Sequence, residues 1–414
     1  MTRLARRLTL TDAVVIGLGS MVGAGVFVVW GPAAAAAGGG LFLGLALAAL
    51  VAYCNATSSA QLAARYPTSG GTYAYGREVL GDWWGFLAGW GFVIGKTASA
   101  AAMALTVAAY LVPQGWWQRP LAALAVIALV AVNYHGVTRT AALTRIIVAA
   151  VLVVLLGAVV LLFLGRPAAP WTGGDPLAGG PLGVLQSAGL LFFAFAGYAR
   201  IATMGEEVIA PERTIPRAIA IALGLAVLVY ALVGAGVVGV LGTDALASST
   251  APLLDAVAAA GATWAMGPVR IGAALGALGA LLALVAGIGR TSLAMARNGD
   301  LPRPLAGVHP VHQVPHVAEI TLGVVVSLPV LAVDLRAVIG FSSFGVLLYY
   351  FVANLAALRQ AEGRRHPRAL QVLGMALCAV LVVTLPWQSV AVGVAVYGVG
   401  VLGRLVARRQ ESSR

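Results

Sequence analysis

Lys96 is the only lysine among 26 basic residues. It falls in GWGFVIGKTASAAAMAL, near the middle of an apolar stretch, while the 14 Asp and Glu residues lie near the ends of such stretches or between them. An unpaired ammonium at that depth costs about 2.5–3.5 kcal/mol on insertion scales, and from mid-span neither interface is within reach of the side chain. The amine must be neutral, cap backbone carbonyls, face a water-filled cavity or meet a bound molecule. Amines taken out of water titrate near neutral pH, so Lys96 could carry a proton. It could equally be a structural lysine that caps carbonyls.

Two other stretches carry backbone chemistry. GLGSMVGAGVF, residues 17–27, holds Gly17, Gly19, Gly23 and Gly25 with Ser20 inside one apolar run. Each glycine weakens a helix interior by roughly 0.5–1 kcal/mol relative to alanine. Unwinding at Gly23-Ala24-Gly25 would free amides that, with a helix dipole behind them, suit a carboxylate. The carbonyls at the other side of a break suit an ammonium. FFAFAGYAR, residues 192–200, offers a second break at Ala196-Gly197. Two facing breaks make a site for a zwitterion; the same glycines would also serve a close-packed helix face. Arg200, one turn beyond the second break, stays charged. It could gate a path by pairing with Asp12 or Glu207, or snorkel to the interface.

The elements that position these residues are membrane helices. The chain is 60% hydrophobic and 10% charged, with a mean hydropathy of +0.94, where a soluble domain carries about 25% charged residues. Twelve spans, each about 20 residues, fall near 12–36, 40–64, 83–112, 120–136, 143–165, 183–206, 217–242, 267–296, 317–333, 337–358, 369–385 and 387–407. With the N-terminus inside, most arginines face the cytoplasm, among them Arg3, Arg6, Arg7, Arg139, Arg290, Arg364, Arg365 and Arg414. Arg119, Arg166, Arg270 and Arg336 face out, so the positive-inside rule puts both termini in the cytoplasm. That bias accounts for the net charge of +12 without a nucleic-acid partner. No cleavable signal peptide is evident. Cys54 and Cys378 lie in apolar segments and frame no disulfide. A break in the first helix of each of two five-span halves is the hydropathy signature of an inverted repeat, with repeat 1 over 12–165, repeat 2 over 183–358, and a further pair over 369–407, all within one domain, 1–414.

GSMVGAGVF (19–27), RYPTSGGTYAYGREVLGDWWG (65–85), FFAFAGYAR (192–200), GEEVIAPERTIPRAI (205–219) and MARNGDLPRPLAGVHP (295–310) together resemble the amino acid permeases of the amino acid–polyamine–organocation (APC) superfamily. The motifs stand in the expected order, and the likeness covers spans one to ten. It implies an all-α integral membrane protein with a LeuT-like 5+5 inverted repeat, twelve transmembrane helices, helices 1 and 6 broken, and alternating access. By motif position, the substrate carboxylate would meet the amides of Ala24 and Gly25 beside Ser20 and Gly23. The ammonium would meet carbonyls of Met21, Phe193 and Ala196, next to Gly197, with Phe193, Phe195 and Tyr198 as aromatic walls or a gate. Some proton-coupled relatives carry a lysine in span five; here Ala149 to Ala158 is wholly apolar, and Lys96 is the expected substitute. Related sodium sites use span-eight hydroxyls, which are missing from Gly267 to Arg290, so a proton is expected over sodium.

The expected activity is secondary active, proton-coupled uptake of neutral amino acids, since no mid-membrane carboxylate awaits a cationic side chain. Acidic amino acids fit if Lys96 or Arg200 faces the pocket. An amino acid/amine exchanger is the alternative, and a non-transporting amino acid sensor a more distant one. No nucleophile–base pair, cofactor motif or metal-ligand cluster appears, so an enzyme is not expected. His309, His312 and His316 read as solvated loop residues, and Pro211 and Pro216 as helix stops. The arginine- and alanine-rich composition suggests a GC-rich genome and a bacterial plasma membrane.

Overall fold

The structure, a computed structural model, describes residues 8–66, 70–135, 141–165, 175, 177, 179–205 and 207–412. Arg3, Arg6, Arg7, Arg139, Arg166, Glu206 and Arg414, together with Pro67, Thr68 and Ser69 of the second motif, lie outside the described residues.

Helix α1 (Leu10–Met21) opens on a reciprocal cap. Thr9 Oγ1 accepts from the Asp12 amide at 3.3 Å and Asp12 Oδ2 accepts from the Thr9 amide at 2.9 Å, satisfying two donors that a helix start leaves open. The helix stops at Met21, Val22–Ala24 are non-helical, and α2 (Gly25–Val28) and α3 (Trp30–Ala37) continue the run. After a tight turn over Gly38–Gly40 come α4 (Leu41–Arg65), α5 (Gly71–Leu80) and α6 (Asp82–Leu111). Then follow α7 (Gln118–Tyr134), α8 (Ala141–Leu164) and α9 (Gly180–Phe195). A single 3-10 turn, Ala196–Tyr198, separates α9 from the short α10 (Ala199–Ala202). The remainder is α11 (Pro211–Ser248), α12 (Pro252–Ala259), α13 (Met266–Arg297), α14 (His316–Val330), α15 (Leu335–Arg359), α16 (Arg368–Thr384) and α17 (Trp387–Ser412).

Among the described residues, nine helical runs are long and apolar enough to cross a membrane by length and composition. Three shorter apolar helices, α7, α14 and α16, stand where the fourth, ninth and eleventh spans are expected. Helices suit this medium because they satisfy their own backbone bonds where water cannot. The exposed faces of α8 and α17 are apolar, with Val153, Leu164 and Val399 pointing outward. The site is held by α6, which packs along both α13 and α15, and by α1, which lies against α11 and the turn after α9.

One local expectation is corrected. Pro211 does not stop a helix but starts α11, and Pro216 lies inside it. At the first helical position the missing N–H has no helical partner to lose, and the ring pre-sets φ. Pro216, in the second turn, forgoes one bond.

Candidate functional site

The interruptions of α1 and α9 lie against each other. A Cβ on Gly25 would sit 2.6 Å from Ala194 Cα, and one on Gly197 would run into the carbonyl group of Ser20. These two glycines permit backbone to meet backbone. Gly17 and Gly19 serve a different purpose: their faces are filled by the side chains of Ile201 and Val148. Close packing accounts for these glycines, against side chains at Gly17 and Gly19 and against backbone at Gly25 and Gly197. The amides of Gly23 and Ala24 have no backbone hydrogen-bond partner among the described residues.

The carbonyls at the breaks are largely taken by the protein. The Tyr230 hydroxyl lies 2.7 Å from Met21 O and 2.9 Å from Ala194 O, bridging the two segments as a single donor. Lys96 Nζ donates to Ala196 O at 3.1 Å, and the Tyr350 hydroxyl reaches the same oxygen at 3.4 Å. Lys96 is buried and links α6 directly to the break after α9. Nearby, Ser99 of α6 and Ser342 of α15 share a hydrogen bond of 2.7 Å.

A cavity of about 240 Å³ opens beside this junction. Ser20, Phe193, Ala196, Gly197 and Lys96 line it at the junction with Met103 further along α6, and Phe92, Leu284, Arg200, Tyr73, Thr203, Arg290, Thr291 and Ala294 line the part toward the start of α6. Of the residues expected from sequence, Ser20, Phe193, Ala196, Gly197, Lys96 and Arg200 line it. Met21, Gly23, Ala24, Gly25, Phe195 and Tyr198 do not; they are buried behind the wall. Ala280 covers Gly23. The ring of Phe195 packs edge-on against Tyr230 at 4.8 Å, and that of Tyr198 lies against Tyr350 at 5.1 Å. The aromatic side chains that reach the cavity are Phe193, Phe92 and Tyr73.

Arg200 and Asp12 do not pair in this structure. Arg200 Nη1 donates to Thr203 Oγ1 at 3.2 Å, while Asp12 Oδ1 accepts from Arg145 Nε of α8 at 2.8 Å. Asp12 is already the acceptor for Thr9, so its carboxylate is used up at the start of α1. Arg290 is the residue that sequence reasoning misplaced. It was counted among the arginines that face the cytoplasm, yet it lines the cavity from within α13. The available signal was its position two turns inside the end of that helix. Thr291, just past the hydroxyl-free stretch of α13, also lines the cavity and donates to Gly287 O at 3.1 Å.

At the arginine-rich end, below the cavity, stands a second charged group. Asp300 is buried and meets Arg404 Nη2 at 2.7 Å and Arg77 Nη1 at 3.1 Å. It also accepts from the Tyr73 hydroxyl at 2.9 Å. Arg404 stacks on Trp83 and Phe86, 4.4 and 4.7 Å from the ring centroids. Burial, then the Asp300 charge, push the Tyr73 hydroxyl up to about 12, so it remains a donor. The loop histidines are partly exposed and gather into a cluster. His309 stacks on His312 at 4.7 Å, and both group with Tyr134. Burial first, then His312 and His316, hold His309 below the usual imidazole range. No group of three His, Cys, Asp or Glu among the described residues is placed to hold a metal.

Residues 8–402 match the family model for amino acid permeases. The chain is 57% identical to an uncharacterized transporter of Mycobacterium tuberculosis over 98% of this chain and 93% of that one. It is 27% identical to the branched-chain amino acid permease BcaP of Bacillus subtilis over 94% of this chain and 90% of that protein. It is 33% identical to mouse cationic amino acid transporter 4, over 85% of this chain and 59% of the relative.

Proposed function

Because the chain belongs to the amino acid permease family, we propose that it is a secondary active transporter that moves an amino acid across the bacterial plasma membrane by alternating access. The observation that carries this reading is the cavity that begins where the two helix interruptions meet and runs toward the arginine-rich end. By the positive-inside rule that end is cytoplasmic, so both termini are inside and the site opens inward. Three shorter apolar helices added to the nine long runs support twelve crossings in a LeuT-like 5+5 arrangement, with the breaks of spans one and six at its centre.

Substrate enters beside Ser20, Phe193 and Gly197. Its α-carboxylate competes for the unpartnered amides of Gly23 and Ala24 once the wall in front of them shifts. Its ammonium competes for the carbonyls that Tyr230 and Lys96 now occupy. A small molecule suits the volume, which lies near the lower end of ligand pockets (roughly 300 Å³). A cationic side chain is disfavoured, since Lys96, Arg200 and Arg290 would repel it.

Lys96 is the proposed coupling group, with a proton as the driving ion. While charged, its ammonium holds Ala196 O with a charge-assisted bond, roughly twice as strong as a neutral one. Losing that proton to the cytoplasm loosens α6 from the break and lets the site release its substrate, so that proton and substrate move inward together. Proteoliposomes with an inward proton gradient and no sodium test this. Wild type should accumulate labelled amino acid, and Lys96→Ala should only equilibrate or exchange it. Equal accumulation by both proteins would remove Lys96 from the coupling role. Movement only with internal substrate present would make the protein an exchanger.

A further inference from the structure

The wall of the cavity carries three cationic side chains, Lys96, Arg200 and Arg290, and no carboxylate among the described residues. The carboxylates nearby are placed elsewhere. Asp12 binds Thr9 and Arg145, and Asp300 binds Tyr73, Arg77 and Arg404. Glu207 acts on Arg200, and Glu319 on Arg290, through their fields, and neither lines the cavity. Arg200 and Arg290 are close enough for each to feel the other's charge.

The two guanidiniums remain charged at any working pH. Facing one cavity, they repel each other, and an anion between them relieves that repulsion. Arg200 spends one of its donors on Thr203, which leaves most of a fork that suits a carboxylate bidentately. A zwitterion with an uncharged side chain has one carboxylate, and its partners lie higher, at the breaks. It offers nothing to Arg200 and Arg290. A second carboxylate, a few bonds from the first, reaches down the cavity toward them.

We infer that the preferred cargo is an amino acid with an anionic side chain, of the aspartate and glutamate class, whose second carboxylate is held between Arg200 and Arg290. This rests on the transport reading above and replaces the neutral class expected from the sequence, in which Arg290 was not counted as a pocket residue.

The test is counterflow in proteoliposomes containing the full chain, with labelled glutamate, aspartate, alanine, leucine and arginine compared side by side. Glutamate or aspartate is expected to exceed alanine and leucine by about tenfold or more in kcat/KM, a difference of about 1.4 kcal/mol, and arginine not to move. Arg290→Gln should lower the glutamate-to-alanine ratio about tenfold, and Arg290→Lys should restore part of it. A merely structural role for Arg290 would lower both substrates together. Transport of leucine or alanine that the acidic amino acids do not compete with, or transport of arginine, overturns the inference and leaves the transport reading standing. Should no amino acid move, both fall. The wild-type comparison decides the class even if the Arg290 variants fail to fold.

Discussion

Arg404 and Arg290 are both arginines set within apolar helices, and they differ in what the protein supplies opposite them. Arg404 of α17 is buried against Trp83 and Phe86 and meets Asp300 at 2.7 Å. Its counter-charge comes from the loop after α13, so the pair ties together segments that are far apart in the chain. Arg290 of α13 lines an open cavity together with Arg200 and Lys96, and no described carboxylate lines it with them. A cation whose partner is built in acts as a clasp. A cation facing a cavity without one is a place for something that arrives. Tyr73 belongs to both regions, donating to Asp300 at 2.9 Å while lining the lower cavity, so a change in one region can be felt in the other.

The contrast can be broken hardest at the clasp. Asp300→Asn leaves the Arg404 guanidinium buried without its counter-charge, which should cost about 3–5 kcal/mol. A large fall in the thermal midpoint in detergent is the expected result. Adding Arg404→Met should recover much of it, because removing both charges avoids the unpaired ion. If Asp300→Asn melts like wild type, the clasp has no structural weight and the contrast with the cavity collapses.

A smaller effect is expected where the two interruptions touch. Gly197→Ala puts a methyl group into the Ser20 carbonyl, and overpacking of this kind costs about 1–3 kcal/mol. The two breaks would have to part. Binding of amino acid, measured by calorimetry on purified protein, should weaken more than stability does. Gly19→Ala meets only the side chain of Val148 and should spare binding. Equal losses in the two variants would mean that the breaks have no special role.

Much of the architecture was legible because apolar stretches of membrane length announce themselves. α6 and α13 run within a residue or two of the stretches expected for them. Pro211 and Pro216 misled, because a proline is punctuation only when its N–H would have been needed. The candidate site was harder to read. Lys96 and Arg200 stood out by depth and charge, and both line the cavity. Which glycines serve backbone contact and which serve side-chain packing depends on partners such as Ala194 and Ile201, more than 160 residues away in sequence. The Asp12–Arg145 pair is of the same kind: composition sets the need for a partner, and only the packing of α1 on α8 chooses it. Arg290 was missed because it was counted only as a cytoplasm-facing charge, although the expected span, 267–296, already held it inside a helix; the cavity it lines is set by how α13 packs beside Arg200.

The smallest effect marks the lower limit of the comparison. Arg65 and Glu362 form an ion pair at 3.2 Å, with side chains 53% and 82% exposed. Water already solvates both groups, and holding two long side chains together costs rotamer freedom, so such pairs contribute about 0–1 kcal/mol. Glu362→Gln should leave the thermal midpoint and transport close to wild type, and any small shift should vanish in high salt. The same charge removed at Asp300 should do the most damage, since Arg404 is buried from water and Asp300 is its ion-pair partner among the described residues, whereas Asp82 pairs with Arg77 and Arg408. A Glu362→Gln loss as large as that of Asp300→Asn would mean that counted ion pairs, and not their burial, govern this molecule. The distinction between clasp and cavity would then have to be drawn on other grounds.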